Sequence, residues 1–143
     1  MKVLTKKFTL QTEGFCDIRD VTPMVLETLA ESGCVRGLVT VMVPGATAAV
    51  TTIEYEEGVL EDLKKAVERL APADLPYAHD RAWGDGNGFS HVRAALLGPS
   101  VSVPFGPDGP ALGTWQQIVL LDFDNRPRTR RFLVQVLGEG KGS

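Results

Sequence analysis

The stretch Trp83-Gly84-Asp85-Gly86-Asn87-Gly88-Phe89-Ser90-His91 gathers most of the residues in this sequence that could do chemistry. Glycines at positions 84, 86 and 88 permit positive φ angles and let backbone donors approach a ligand closely. Asp85 and Asn87 add polar side chains between them, and a helix start just beyond would converge further amides on an anion. His91 is of a residue type that suits proton transfer. Arg93 could clamp a phosphate with two parallel hydrogen bonds. Glu54, at the end of a β-rich run, could offer a carboxylate to the site. Thr114, Trp115 and Gln116 are expected to line the same pocket. The pattern predicts a site for a phosphate or carboxylate anion, with Asp85, Gly86, Asn87 and Arg93 as ligand contacts. The bland alternative is a tight, solvated surface turn.

Other chemistries fit less well. The glycine spacing is not a dinucleotide fingerprint, and no ligand series follows Asn87 as a calcium loop requires. His79 and His91 lie twelve residues apart without a third ligand at a recognisable spacing, so no metal or other cofactor is assigned. No nucleophile elbow is present. Arg126, Arg128, Arg130 and Arg131 cluster at a turn and read as a charged edge that discourages strand pairing. Aromatic residues do not interleave with them, as a nucleic-acid groove would need.

The chain around these residues is ordinary. It has 143 residues, 43% hydrophobic and 23% charged, with 15 Lys+Arg against 18 Asp+Glu for a net charge of −3. That suits one soluble domain and argues against a broad nucleic-acid surface. Cys16 and Cys34 match no metal or CxxC spacing, which predicts two reduced thiols in a cytoplasmic protein. Lys6, Lys7 and Thr9 interrupt the N-terminal stretch, so no apolar signal-peptide core is expected, and no apolar run is long enough to span a membrane.

Several elements must position the candidate site. Val3–Glu13 alternates as a strand, and a short second strand is expected over Gly14–Ile18. Thr22-Pro23 opens a helix that Gly33 stops. Val35–Val43 reads as a central strand with Ala48–Tyr55 as its partner. Val59, Leu63, Val67 and Leu70 recur at helical spacing over Val59–Leu70. Tyr77–Gly88 reads as a long loop, and Ser100–Phe105, Thr114–Phe123 and Arg131–Leu137 as an antiparallel meander. The expected fold class is α+β: a single domain over residues 1–143, with antiparallel or mixed sheet in a sandwich-like arrangement and two main helices.

The segments GLVTVMVPGATAAVTTIEYEEGVLEDL, WGDGNGFSHVRAALLGPSVSVPF and LGTWQQIVLLDFDNRPRTRRFLVQVLG together resemble the YjbQ-type family, known as secondary thiamine-phosphate synthase. The resemblance covers essentially the whole chain. It implies a compact α+β subunit, a homotrimer, and a site near subunit boundaries able to hold a metal or an anion. The implied activity is weak transfer on phosphorylated small molecules, forming thiamine phosphate. Of the three histidines that mark the family, this chain carries only His91, with Gly45 and Phe89 at the other two positions. Glu54, Asp85, Gly86 and Asn87 match the pattern, and an enzyme of the family type would use His91 as acid or base with Glu54 as its orienting carboxylate. Loss of two imidazoles disfavours the family's metal, and Phe89 should make the pocket more apolar. A non-catalytic homotrimer that keeps only ligand binding or a structural role is therefore the alternative to an enzyme.

Overall fold

The computed structural model describes residues 1–142. Strands β1 (Lys2–Thr12) and β2 (Asp17–Asp20) precede helix α1 (Thr22–Ser32). Strands β3 (Cys34–Met42) and β4 (Ala48–Glu54) lead to helices α2 (Glu57–Leu70), α3 (Ala78–Trp83) and α4 (Gly88–Leu97). Strands β5 (Ser100–Gly106), β6 (Gly109–Pro110), β7 (Gln116–Asp122) and β8 (Arg128–Gly140) follow. They form two antiparallel sheets, one of five strands in the order β1-β8-β3-β5-β6 and one of three in the order β2-β7-β4. The α+β class is as expected, and no helix among the described residues is long and apolar enough to cross a membrane.

β7 explains how the layers stack. Ile118 and Leu120 on one face join Val39, Val41, Phe132 and Val134 of the large sheet, with Val21 and Val25 of the α1 segment, in the main core. Val119 and Leu121 on the other face pack with Val67 of α2 and Ala94 of α4 in a second core. A strand buried on both faces must be apolar throughout, so the run Ile118–Leu121 lacks alternation. The small sheet is thus the middle layer, between the large sheet and the α2–α4 pair.

The helices obey local rules. Glu56 caps α2, its carboxylate accepting from the Gly58 and Val59 amides at 2.8 Å. Val21, not Thr22, is the N-cap of α1. Thr22 instead faces β7, where its hydroxyl accepts from the Ile118 amide at 2.8 Å.

Other expectations need correction. β4 pairs with β7 in the small sheet, not with β3. β5, β7 and β8 form no meander, because β7 crosses to the small sheet while β5 and β8 flank β3. The second strand starts at Asp17, since Phe15 and Cys16 take positive φ angles of 51° and 68° and form a turn. Half of the expected 77–88 loop is α3, ended by Gly84 in the left-handed conformation.

Candidate functional site

A cleft of about 590 Å³ opens where β4 begins and β7 ends. Ala46 and Thr47 enter β4 on one side, and Asp85, Asn87 and His91 of the α3–α4 segment stand opposite. Asp124, Asn125, Arg126 and Arg128 of the β7–β8 loop supply the remaining wall.

The floor is a buried charge network. Arg130 donates from Nε to Asp122 Oδ2 at 2.7 Å and from a terminal nitrogen to Asp122 Oδ1 at 2.8 Å. Thr12 also donates its hydroxyl to Asp122, and the Asp124 amide donates to it at 3.0 Å. Burial pushes the Asp122 carboxyl up, but Arg130, Thr12 and the Asp124 amide outweigh it and hold it below the usual carboxylate range. Thr47 and Asn87 donate to Asp124 Oδ2 at 3.0 and 3.3 Å. Arg130 lands inside because the period-two alternation of β8 puts it on the face of Phe132, Val134 and Val136. The arginine run is therefore not a uniform solvated edge: Arg130 is buried, Arg126 and Arg128 line the cleft, and Arg131 points outward.

The turn before β2 pins this floor. The amides of Phe15 and Cys16 donate to the carbonyls of Asp124 and Asp122, both at 2.8 Å. Gly14 sits at φ 78°, and a Cβ there would lie 2.5 Å from the Asp124 carbonyl oxygen. The neighbouring Cys16 thiol is pushed by burial up to about 11.

Above the floor, two imidazoles meet. The His79 and His91 rings lie 4.3 Å apart, His79 on α3 and His91 on α4. His79 Nδ1 is buried without a hydrogen-bond partner and lies 3.4 Å from Asp85 Oδ1. Asp80 Oδ1 accepts from the Gly88 amide at 2.8 Å, which ties the two helices together. One ligand atom from each of His79, Asp80 and Asp85 lies within 4.8 Å of the others. This donor set fits a divalent cation, although the sequence spacing assigned none. The missed signal is the adjacent His79-Asp80 pair, hidden by treating α3 as loop.

The remaining expected site residues divide. Asp85, Asn87 and His91 share the cleft, and Gly86 lies in the exposed turn between the first two, at φ 66°. Arg93 does not reach the cleft. It is buried, donating to the Ala71 carbonyl at 2.9 Å and pairing with Glu68, so it fastens α4 to α2. Its position two residues past His91 on the helix turns it to the opposite face. Phe89 is equally remote, 2% exposed and held between Phe15 and the Arg93 guanidinium, so it does not make the cleft apolar. Glu54 cannot orient His91, because it lies at the far end of β4, about 20 Å of strand from Thr47. There Glu54 and Trp115 share a separate recess of about 340 Å³ with Asp20, Tyr55, Glu56 and Gln117. Gln116 donates to Thr52 and accepts from the Gly113 amide beside that recess, and exposed Thr114 adjoins it. Gly45 borders a shallow apolar groove with Ala48, Ala94 and Pro99, joined to the cleft at Ala46.

Known proteins share this arrangement of sequence and fold. The family described as UPF0047 protein YjbQ-like matches residues 6–139. A UPF0047 protein of Archaeoglobus fulgidus is 44% identical over 131 residues, covering 92% of this chain and 99% of its own. One from Methanothermobacter thermautotrophicus is 37% identical, covering 97% and 95%. Among solved structures, a YbjQ-like protein of unknown function from Sulfolobus solfataricus superposes with a TM-score of 0.91 at 28% identity, covering 96% of this chain and 99% of that one. A hypothetical protein from Aeropyrum pernix superposes with a TM-score of 0.88 at 34% identity, covering 95% and 99%. With matches of this length on both counts, the chain belongs to the UPF0047 YjbQ-like family.

Proposed function

We propose that this protein binds a phosphorylated small molecule in the His91 cleft, with Arg126 and Arg128 on the phosphate and His91 moving a proton. The observation that carries this reading is the convergence of Arg126, Arg128 and His91 on one cleft whose floor is held by the Arg130–Asp122 hydrogen bonds. Cationic donors stabilise a departing phosphate or pyrophosphate, which is what thiamine-phosphate-forming transfer needs. A divalent cation on His79, Asp80 and Asp85 would add charge neutralisation at the same phosphate.

The subunit is proposed to work as a homotrimer. The outer face of the large sheet supports this: Val3, Leu38, Met42 and Leu137 are between 38% and 62% exposed there, among uncharged Thr5, Thr40, Ser102 and Gln135. A partner would cover that apolar surface. A non-catalytic, ligand-binding trimer is the second reading. It is favoured by Gly45, which brings no side chain to the cleft border where an imidazole marks the family.

Calorimetry with inorganic phosphate, pyrophosphate and thiamine phosphate tests binding. The parent should bind, and Arg126→Ala with Arg128→Ala should not. Absence of binding at millimolar ligand overturns the reading. Thiamine phosphate formed from a pyrimidine pyrophosphate and a thiazole phosphate, and lost in His91→Ala, separates the enzyme from the non-catalytic trimer.

A further inference from the structure

The floor of the cleft carries an imbalance that phosphate alone does not resolve. Asp122 and Asp124 are both buried, with side chains 0% and 3% exposed, and Arg130 is the one guanidinium buried with them, at 6%. Every oxygen of Asp122 is engaged, as is Asp124 Oδ2. Asp124 Oδ1 has no hydrogen-bond partner at all. Buried acceptors are almost always satisfied, and charged ones left alone are costly. Thr47 and Asn87 clamp the other oxygen, so the carboxylate cannot turn to help itself.

Arg128 supplies the missing positive charge only in part. Its Nε stands 3.6 Å from Asp124 Oδ2, beyond hydrogen-bond range, and its side chain is 34% exposed. It is the neighbour least held in place. A ligand carrying both a phosphate and a protonated amine could replace this loose pair with two good ones. Its phosphate would draw Arg128 outward beside Arg126, and its ammonium would take the place Arg128 leaves beside the Asp124 carboxylate. Only Asn125 separates Asp124 from Arg126, so their Cα atoms are at most about 7 Å apart. That is the span of a short zwitterion.

We infer that Asp124 is the specificity determinant of the cleft, and that the ligand it selects is a phosphate monoester bearing a primary ammonium on a short arm. The inference rests on the phosphate-binding reading above and adds the second end of the ligand.

Calorimetry on the full chain with O-phosphoethanolamine, its N-acetyl derivative and ethyl phosphate tests it. All three carry the phosphate, and one carries the ammonium. Phosphoethanolamine should bind about tenfold more tightly than either of the others, the range of a hydrogen bond to a charged group. Asp124→Asn should shrink that gap to within twofold. Equal affinity for all three probes in the parent overturns the inference while leaving phosphate binding intact, and needs no variant to fold. A gap that persists in folded Asp124→Asn also overturns it. If none of the three binds, the phosphate reading falls, and the inference with it.

Discussion

Replacing Arg130 with methionine should strike the most interdependent part of the molecule. The substitution keeps much of the apolar stem and removes the guanidinium that holds both oxygens of Asp122. Asp122 would retain Thr12 and the Asp124 amide, with its charge uncompensated at 0% side-chain exposure. Breaking one side of a buried pair in this way costs about 3–5 kcal/mol. Against a total stability of about 5–15 kcal/mol, Arg130→Met should leave a folded but weakened protein. At about 2–4 °C per kcal/mol, the melting temperature should drop by about 6–20 °C. Urea titration is the assay, with an unchanged slope showing that the native and unfolded states keep their compactness. Adding Asp122→Asn to Arg130→Met should recover at least about 1 kcal/mol, because it removes the stranded charge. In the parent background the same Asp122→Asn should destabilise. A loss below about 1 kcal/mol for Arg130→Met, or no recovery in the double variant, would refute the argument that Arg130 compensates a buried charge.

Three further outcomes follow from the same packing. Gly14→Ala should cost about 2–4 kcal/mol by thermal melting, from left-handed strain plus the 2.5 Å approach to the Asp124 carbonyl; a change under about 0.5 kcal/mol would contradict that contact. Acid should expose the depressed Asp122 carboxyl: its stabilisation is complete above the unfolded value of 3.8 and is lost as pH falls through the lower folded value, so the urea midpoint should decline below about pH 4 and Arg130→Met should flatten that decline. Phe89→His should destabilise by about 2–4 kcal/mol and add no bound zinc by elemental analysis, since position 89 faces Phe15 and Arg93 rather than the cleft.

Features carried by local chemistry were legible in the sequence. Pro23 and Gly33 bound α1, the 3.6-residue repeat of Val59, Leu63 and Val67 marks α2, and the alternate glycines announce the turn that delivers Asn87 and His91. What depends on distant partners was not. β4 and β7 carry the same β-rich composition whichever strand they pair with, so their union in a second sheet left no local trace. Arg93 and Arg130 look alike as letters, yet one fastens two helices and the other holds the floor of a cleft. Helix phase and strand alternation could have shown both pointing inward. Reading Arg93 as a phosphate clamp and Arg130 as part of a charged edge hides it. Glu54 was joined to His91 by motif alone, and the length of β4 separates them.

The place of β8 in the large sheet has a consequence for how the molecule comes into being. β8 lies between β1 and β3, and Lys2 ends up opposite Gly138. A ribosome makes β1 and β3 long before the strand that must separate them. Until residues 128–140 emerge, β1 and β3 have unpaired edges on the sides that β8 will occupy, and edges of that kind invite mispairing. The large sheet cannot be assembled progressively during synthesis. It must wait for its most widely separated contacts, which predicts slow, late and cooperative folding, and a window of risk that closes only when β8 slots into its gap.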